Sequence, residues 1–230
     1  MKRRTALVVG ATGLVGSHVL RLLLNDSRWT RVLALTRRPL AISHPRLTNI
    51  VTDFEKLDKV ARRLKADDVF CCLGTTLREA GGRAGFHKVD YGYAMAVARL
   101  TQENHAHHFL LLSAQGADAR SLFFYNTVKG RLENDVLALN FEHLTVLRPS
   151  LILGQRPQRR WSEQLAGKIL GAISPLLRGP LVPLRPVAYE ALAAAMVQAA
   201  VDTAKTHHDV LIFKRIMEYA SQNRPLLSKT

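Results

Sequence analysis

The chain has 230 residues, 47% of them apolar and 22% charged, which is the ordinary range of a globular protein with one well-buried core and leaves no case for general disorder. Thirty-three Lys and Arg against eighteen Asp and Glu give a net charge of +15, so the surface favours anionic ligands. The basic residues are scattered in short clusters (Lys2 to Arg4, Arg37 and Arg38, Arg62 and Arg63, Arg156 to Arg160) without a long arm or interleaved aromatics, so no specific nucleic-acid site is expected.

In chain order, Thr5 to Val9 is a short β-branched and aliphatic run ending in glycine, too short for a signal peptide, and Gly16 to Leu24 has apolar residues at helical spacing. Further strands are expected at Arg31 to Thr36, Leu47 to Val51, Asp68 to Leu73, Phe109 to Ser113 and Leu144 to Leu147. Helices are expected at Tyr91 to Asn104 and Val128 to Leu139. Continuously apolar strands alternating with helices predict an α/β, doubly wound parallel sheet of Rossmann type.

After Gly154 an Arg- and Pro-rich loop leads to apolar residues at helical spacing from Trp161 to Leu177, which predicts a small helical cap over residues 155–185 within a single domain. Helices around Glu190 to Ala204 and Lys214 to Ser221 are expected to pack back on the domain. The apolar stretch Val187 to Val201 is interrupted by Glu190 and Gln198 and falls short of the roughly 20 residues of a membrane span. The only cysteines, Cys71 and Cys72, are adjacent, so a disulfide framework is excluded and a reducing cytoplasm is expected.

Gly10-Ala-Thr12-Gly13-Leu14-Val15-Gly16 sits between the first strand and the first helix, where glycines permit a tight turn and close approach of backbone to a pyrophosphate. The helix N-terminus then presents free N–H groups to the phosphates. The second strand ends in Thr36-Arg37-Arg38 with no acid for a ribose 2′-hydroxyl, so NADP(H) is expected over NAD(H), with Arg37 the leading contact to a 2′-phosphate and Arg38 beside it. Asp53, after the third strand, is a candidate for the adenine amino group.

Tyr125 and Lys129 lie four residues apart at the start of a helix, on one face. A neighbouring ammonium favours phenolate and is expected to lower the Tyr125 pKa toward working pH, suiting it to proton transfer. Ser113, at the end of the fifth strand, is placed to orient a substrate oxygen. His105, His107 and His108 read as solvated loop residues rather than a metal site, and no metal is expected.

Together, GATGLVGSHVL (10–20), CCLGTT (71–76), VDYGYA (89–94), LLLSAQGA (110–117), YNTVKGRLE (125–133) and LRPSLILG (147–154) make the chain resemble the short-chain dehydrogenase/reductase superfamily, in its atypical branch of Tat-interacting, oxidoreductase-like proteins. The resemblance implies nucleotide contacts from the Gly10 turn, Arg37, Leu73, Gly74, Thr75, Tyr125 and Lys129, and from the loop Arg148, Pro149, Ser150 and Leu151. Lys129 is implied to hold the nicotinamide ribose. Many relatives carry two serines where this chain has Ser113-Ala114.

The expected function is NADP(H)-dependent oxidation or reduction of a small carbonyl or alcohol substrate through Ser113, Tyr125 and Lys129. A nucleotide-binding regulator with a protein partner is the alternative from another class. Nucleotide-sugar epimerase or dehydratase chemistry is the third reading, disfavoured by the short chain after residue 154. A homodimer face on the helices flanking the fourth and fifth strands is open.

Overall fold

The computed structural model describes residues 3–154, 185–202 and 207–222. The expected cap lies outside these residues, apart from Arg185.

Among the described residues, seven strands form one sheet in the order β3-β2-β1-β4-β5-β6-β9, with every neighbouring pair parallel. They are β1 (Arg4–Val9), β2 (Trp29–Thr36), β3 (Leu47–Val51), β4 (Asp68–Cys71), β5 (His108–Leu112), β6 (His143–Leu147) and β9 (His208–Leu211). β7 (Ile152–Leu153) and β8 (Val187–Ala188) make a separate two-stranded ribbon. The doubly wound fold is thus the one the alternation of elements predicts. β9 was not expected, because His208 and Asp209 break the apolar run and only its end, Leu211, is buried.

Alternation within each strand splits the core in two. Ala6, Val8, Phe70 and Leu110 face α1 (Leu14–Asn25) and the two C-terminal helices, while Leu7, Val9, Val69 and Leu111 face the other side. On that other side lie a 3-10 helix (Phe54–Arg63), α3 (Ala94–Glu103) and α4 (Phe124–Leu137). Burial on both faces is why these strands are apolar throughout. The C-terminal helices are α5 (Tyr189–Val201) and α6 (Phe213–Gln222). α5 is lined by Ala193, Ala194 and Ala195, all fully buried, and small side chains there let it sit close to its neighbours.

A short helix, α2 (Arg83–His87), continues into a π-helical stretch, Lys88–Tyr93, before α3 begins. The helix expected from Tyr91 joins the last three residues of this stretch, Tyr91 to Tyr93, to α3. Among the described residues no helix is long and apolar enough to cross a membrane.

One charged cluster is built into the sheet. Asp68 is fully buried, accepts from Trp29 Nε1 at 2.7 Å and pairs with Arg4, whose guanidinium also lies 5.3 Å from the Trp29 ring. Burial pushes the Asp68 carboxyl up to about 6, against the opposing pull of Arg4 and Trp29.

Candidate functional site

Strand order reverses between β1 and β4, and the crevice outside the carboxyl ends of the strands opens there. The glycine turn fills its floor. Gly10 has φ +84° and its carbonyl accepts from Gly13 N at 2.9 Å. A Cβ on Gly10 would sit 2.6 Å from the Cys72 carbonyl, and one on Gly16 would sit 2.2 Å from the Gly10 carbonyl. Both contacts are with backbone, so neither position admits a side chain. Gly13 caps α1 without a side-chain acceptor, and no acid occupies the first turn. The first N–H groups of α1 are therefore left for an anion.

Two cavities of about 370 Å³ meet along this floor and share Gly13, Cys72, Leu73, Gly74 and Thr75. The first is lined further by Gly10, Thr12, Arg37, Phe54 and Tyr93. The second is lined by Leu14, Val15, Ser113, Tyr125, Lys129, Ser150 and Leu151. Together they form an elongated cleft with a cation at one end, a backbone cradle in the middle and titratable groups at the other. These residues fit a dinucleotide with its pyrophosphate at the glycine turn.

Some expected contacts are placed elsewhere. Arg38 and Asp53 are not among the lining residues of either cavity. Asp53 caps the 3-10 helix by accepting from Glu55 N at 3.1 Å, the common use of an aspartate in that position. Pro149 presents its carbonyl to Gln115 N at 2.7 Å and lines neither cavity. The Arg148 side chain is a further correction: its Nε donates to Glu133 at 3.0 and 3.1 Å, its Nη2 also reaches that carboxylate, and it lines a separate depression near Asp118. That guanidinium is turned to Glu133 and lines neither cavity. His108, expected in a solvated loop, is buried in β5 with its Nε2 2.8 Å from Thr145 Oγ1.

At the far end of the cleft α4 supplies Tyr125 and Lys129, with Glu133 one turn further along the helix. Tyr125, Lys129 and Glu133 recur every four residues and so share one face of that helix. Tyr125 is 38% exposed and its ring packs on Phe86 at 5.3 Å. Lys129 is buried, with Nζ 2.7 Å from Asp90 Oδ1. Asp90 Oδ2 accepts from Thr75 N at 2.9 Å. Ser113 is buried at the end of β5 and donates its hydroxyl to Glu133.

The electrostatics reverse one expectation. Surrounding protein pushes the Tyr125 phenol up from its ordinary value; Lys129 opposes this, but Asp90 adds to the rise. Burial works against the Lys129 ammonium, yet Asp90, with Tyr125 and Cys71 assisting, holds it charged above the usual lysine range. The expected lowering at Tyr125 does not appear, because burial of the phenol outweighs the pull of Lys129, with Asp90 adding to the rise. Burial likewise pushes Cys71 up to about 11 and Cys72 further, so both free thiols stay protonated near neutral pH. Among the described residues no group of three His, Cys, Asp or Glu side chains could hold a metal ion.

Two neighbours of the Ser113 and Lys129 side chains, Glu133 and Asp90, escaped the sequence reading. Glu133 was marked by its spacing from Tyr125 and Lys129. Asp90 was marked only as an acid within the VDYGYA stretch, and nothing in the pattern says that it faces inward.

The geometry is that of a dinucleotide-binding protein, and comparison with known proteins agrees. Residues 10–151 match a family described as NAD(P)H-binding. Protein HTATIP2 of Rattus norvegicus is 39% identical over 177 residues, 75% of this chain and 73% of that protein. Protein FMP52, mitochondrial, of Debaryomyces hansenii is 32% identical over 203 residues, 87% of each chain. The chain belongs to this NAD(P)H-binding family, in the atypical short-chain dehydrogenase/reductase branch with HTATIP2 and FMP52.

Among solved structures, MoeE5 in complex with UDP-glucuronic acid and NAD superposes with a TM-score of 0.69 at 18% identity, over 95% of this chain and 81% of that one. UDP-glucuronic acid 4-epimerase from Bacillus cereus, in complex with UDP-glucuronic acid and NAD, gives 0.67 at 15% identity over 95% and 82%. At these identities the likeness is one of fold.

Proposed function

We propose that the protein is an NADP(H)-dependent oxidoreductase acting on a small carbonyl or alcohol substrate. The observation that carries this reading is that Ser113, Tyr125 and Lys129 line one cavity with Gly13 and the start of α1. Bound there, the nucleotide supplies a hydride donor or acceptor at its nicotinamide. Tyr125 gives the proton to the substrate oxygen as the carbonyl carbon gains hydride, leaving an alcohol; oxidation is the reverse. Lys129 holds the ribose beside it. Ser113, whose own proton goes to Glu133, accepts from the alcohol hydroxyl. Support for NADP(H) over NAD(H) comes from Arg37 in the lining of the adenosine end, with no acid following β2.

The test is NADPH consumption by purified protein against a panel of aldehydes and ketones. With a substrate in hand, Tyr125→Phe is expected to lower kcat by about 100-fold or more, the usual contribution of a placed general acid. Full turnover by that variant would remove Tyr125 from the chemistry.

A second reading is favoured by Ala114 and by the engagement of Ser113 with Glu133, which leave no second hydroxyl at that strand end. It is a nucleotide-sensing regulator that binds NADP(H) and a protein partner without turnover. Partner binding that requires NADPH and survives Tyr125→Phe supports it. Nucleotide-sugar chemistry, suggested by the UDP-glucuronic acid bound in the two solved structures, rests on fold alone. Free Cys71 and Cys72 fit a reducing compartment such as the cytoplasm, while FMP52 is named as mitochondrial.

A further inference from the structure

Asp90 lines the cavity of Ser113 and Tyr125 and links the β4 end of the cleft to α4. Its Oδ2 accepts from Thr75 N at 2.9 Å, at the end of β4 where the two cavities meet, and its Oδ1 stands 2.7 Å from Lys129 Nζ on α4. It is 1% exposed, and a carboxylate is kept that far from water only when its charge and lone pairs are engaged. It also sits within the π-helical stretch Lys88–Tyr93, and such widened turns occur chiefly where a helix places a functional side chain.

We infer that Asp90 is a positioning residue of the reaction site, which fixes the Lys129 ammonium against the β4 end and neutralises its charge locally, so that Tyr125 stays a phenol and serves as the proton donor. The argument is electrostatic. A lone ammonium one helical turn from a phenol stabilises the phenolate, whereas an ammonium already paired with a carboxylate presents nearly a neutral pair. The groups acting on Tyr125 and Lys129 are Asp90 from the π-helical stretch, Cys71 from β4 and each other from α4; Phe86, packed on the Tyr125 ring, carries no charge. Cys71 stays a thiol, so Asp90 is the anion that opposes the pull of Lys129 on Tyr125, in the same direction as burial.

This extends the oxidoreductase reading and rests on it for one consequence: at neutral pH the site is set to deliver a proton, which is the reductive sense. The Lys129 ammonium has three N–H donors, and pairing with one carboxylate oxygen leaves donors for ribose hydroxyls.

The test uses the free full-length protein, without nucleotide or substrate, so that its failure is separate from a failure to find turnover. Ultraviolet titration follows phenolate formation, and Tyr125 is isolated by subtracting the same titration of the matching Tyr125→Phe protein. In the wild type the Tyr125 transition is expected above the ordinary tyrosine value of about 10. Asp90→Asn is expected to lower it by at least about one pH unit, and adding Lys129→Met should raise it again. Asp90→Glu, which keeps the charge, should stay near the wild type. If Asp90→Asn does not fold, Asp90→Ser takes its place with the same expected shift, its hydroxyl retaining an acceptor for Thr75 N. A Tyr125 transition that does not fall in the neutral variant overturns the inference, since loss of a merely structural contact moves stability and leaves the phenol where it was.

Discussion

The Ser113 hydroxyl donates to the carboxylate of Glu133, two helical turns beyond Tyr125, and Arg148 clamps that carboxylate from the other side. A hydroxyl committed in this way offers a substrate only its lone pairs. Ser113→Ala is therefore expected to lower kcat by less than about 10-fold, well short of the loss expected for Tyr125→Phe. Steady-state kinetics on both variants checks this, and equal losses would return a donor role to Ser113. Glu133→Gln leaves the partly exposed Arg148 without its counter-charge; a loss of about 1–3 kcal/mol in denaturant unfolding is expected, reduced from that of a fully buried pair by solvent at the guanidinium.

Arg37 lines the cavity beside Gly10 and Thr12, and Arg38 does not. Arg37→Ala is expected to raise the Kd for NADPH by about 10-fold or more while leaving NADH nearly unchanged, because only the former carries a 2′-phosphate for the guanidinium. Calorimetric titration with both nucleotides reads the ratio. Equal weakening of the two would assign Arg37 to some other part of the nucleotide, and Arg38→Ala should change neither.

Gly130 lies between Lys129 and the Glu133 turn of α4, and a Cβ there would come within 2.2 Å of Ala119 N and 2.3 Å of Asp118 C. These are backbone atoms of the loop that precedes the helix, so the clash cannot be relieved by a rotamer. Gly130→Ala is expected to cost about 1–3 kcal/mol despite the better helix propensity of alanine. The check is a fall in the denaturation midpoint with unchanged m value; a variant as stable as the wild type would mean that the loop yields.

Asp68 titrates near 6 in the folded chain against an ordinary value of 3.8, so the folded state holds this proton more tightly than the unfolded state. Its contribution is present in full below the unfolded value and is lost as pH rises through about 6. Between pH 4 and 7 the wild type should lose about 1–3 kcal/mol relative to Asp68→Asn, which has no carboxyl to ionise. Parallel stability curves for the two proteins would show that Arg4 and Trp29 compensate the buried charge at every pH.

What the residue order alone determined is local: an apolar run, a turn that only glycine can make, and a helix on which Tyr125, Lys129 and Glu133 recur at four-residue spacing. Such features are set by backbone geometry and burial periodicity within a short window, so strands β1 to β6, the glycine turn and the Tyr125–Lys129 pair were all legible. β9 was not, because an edge strand needs little apolar surface and His208-Asp209 carries no pattern. The partners of the site were decided only in three dimensions. Asp90 meets Lys129 from 39 positions away. Arg148 turns from the cleft to Glu133, and Asp53 turns to the backbone of Glu55. Charge pairing and burial depend on distance in space and on the exclusion of water, neither of which is written in sequence spacing, and burial with Asp90 added raises the Tyr125 phenol where the isolated Tyr-x-x-x-Lys pattern points toward phenolate.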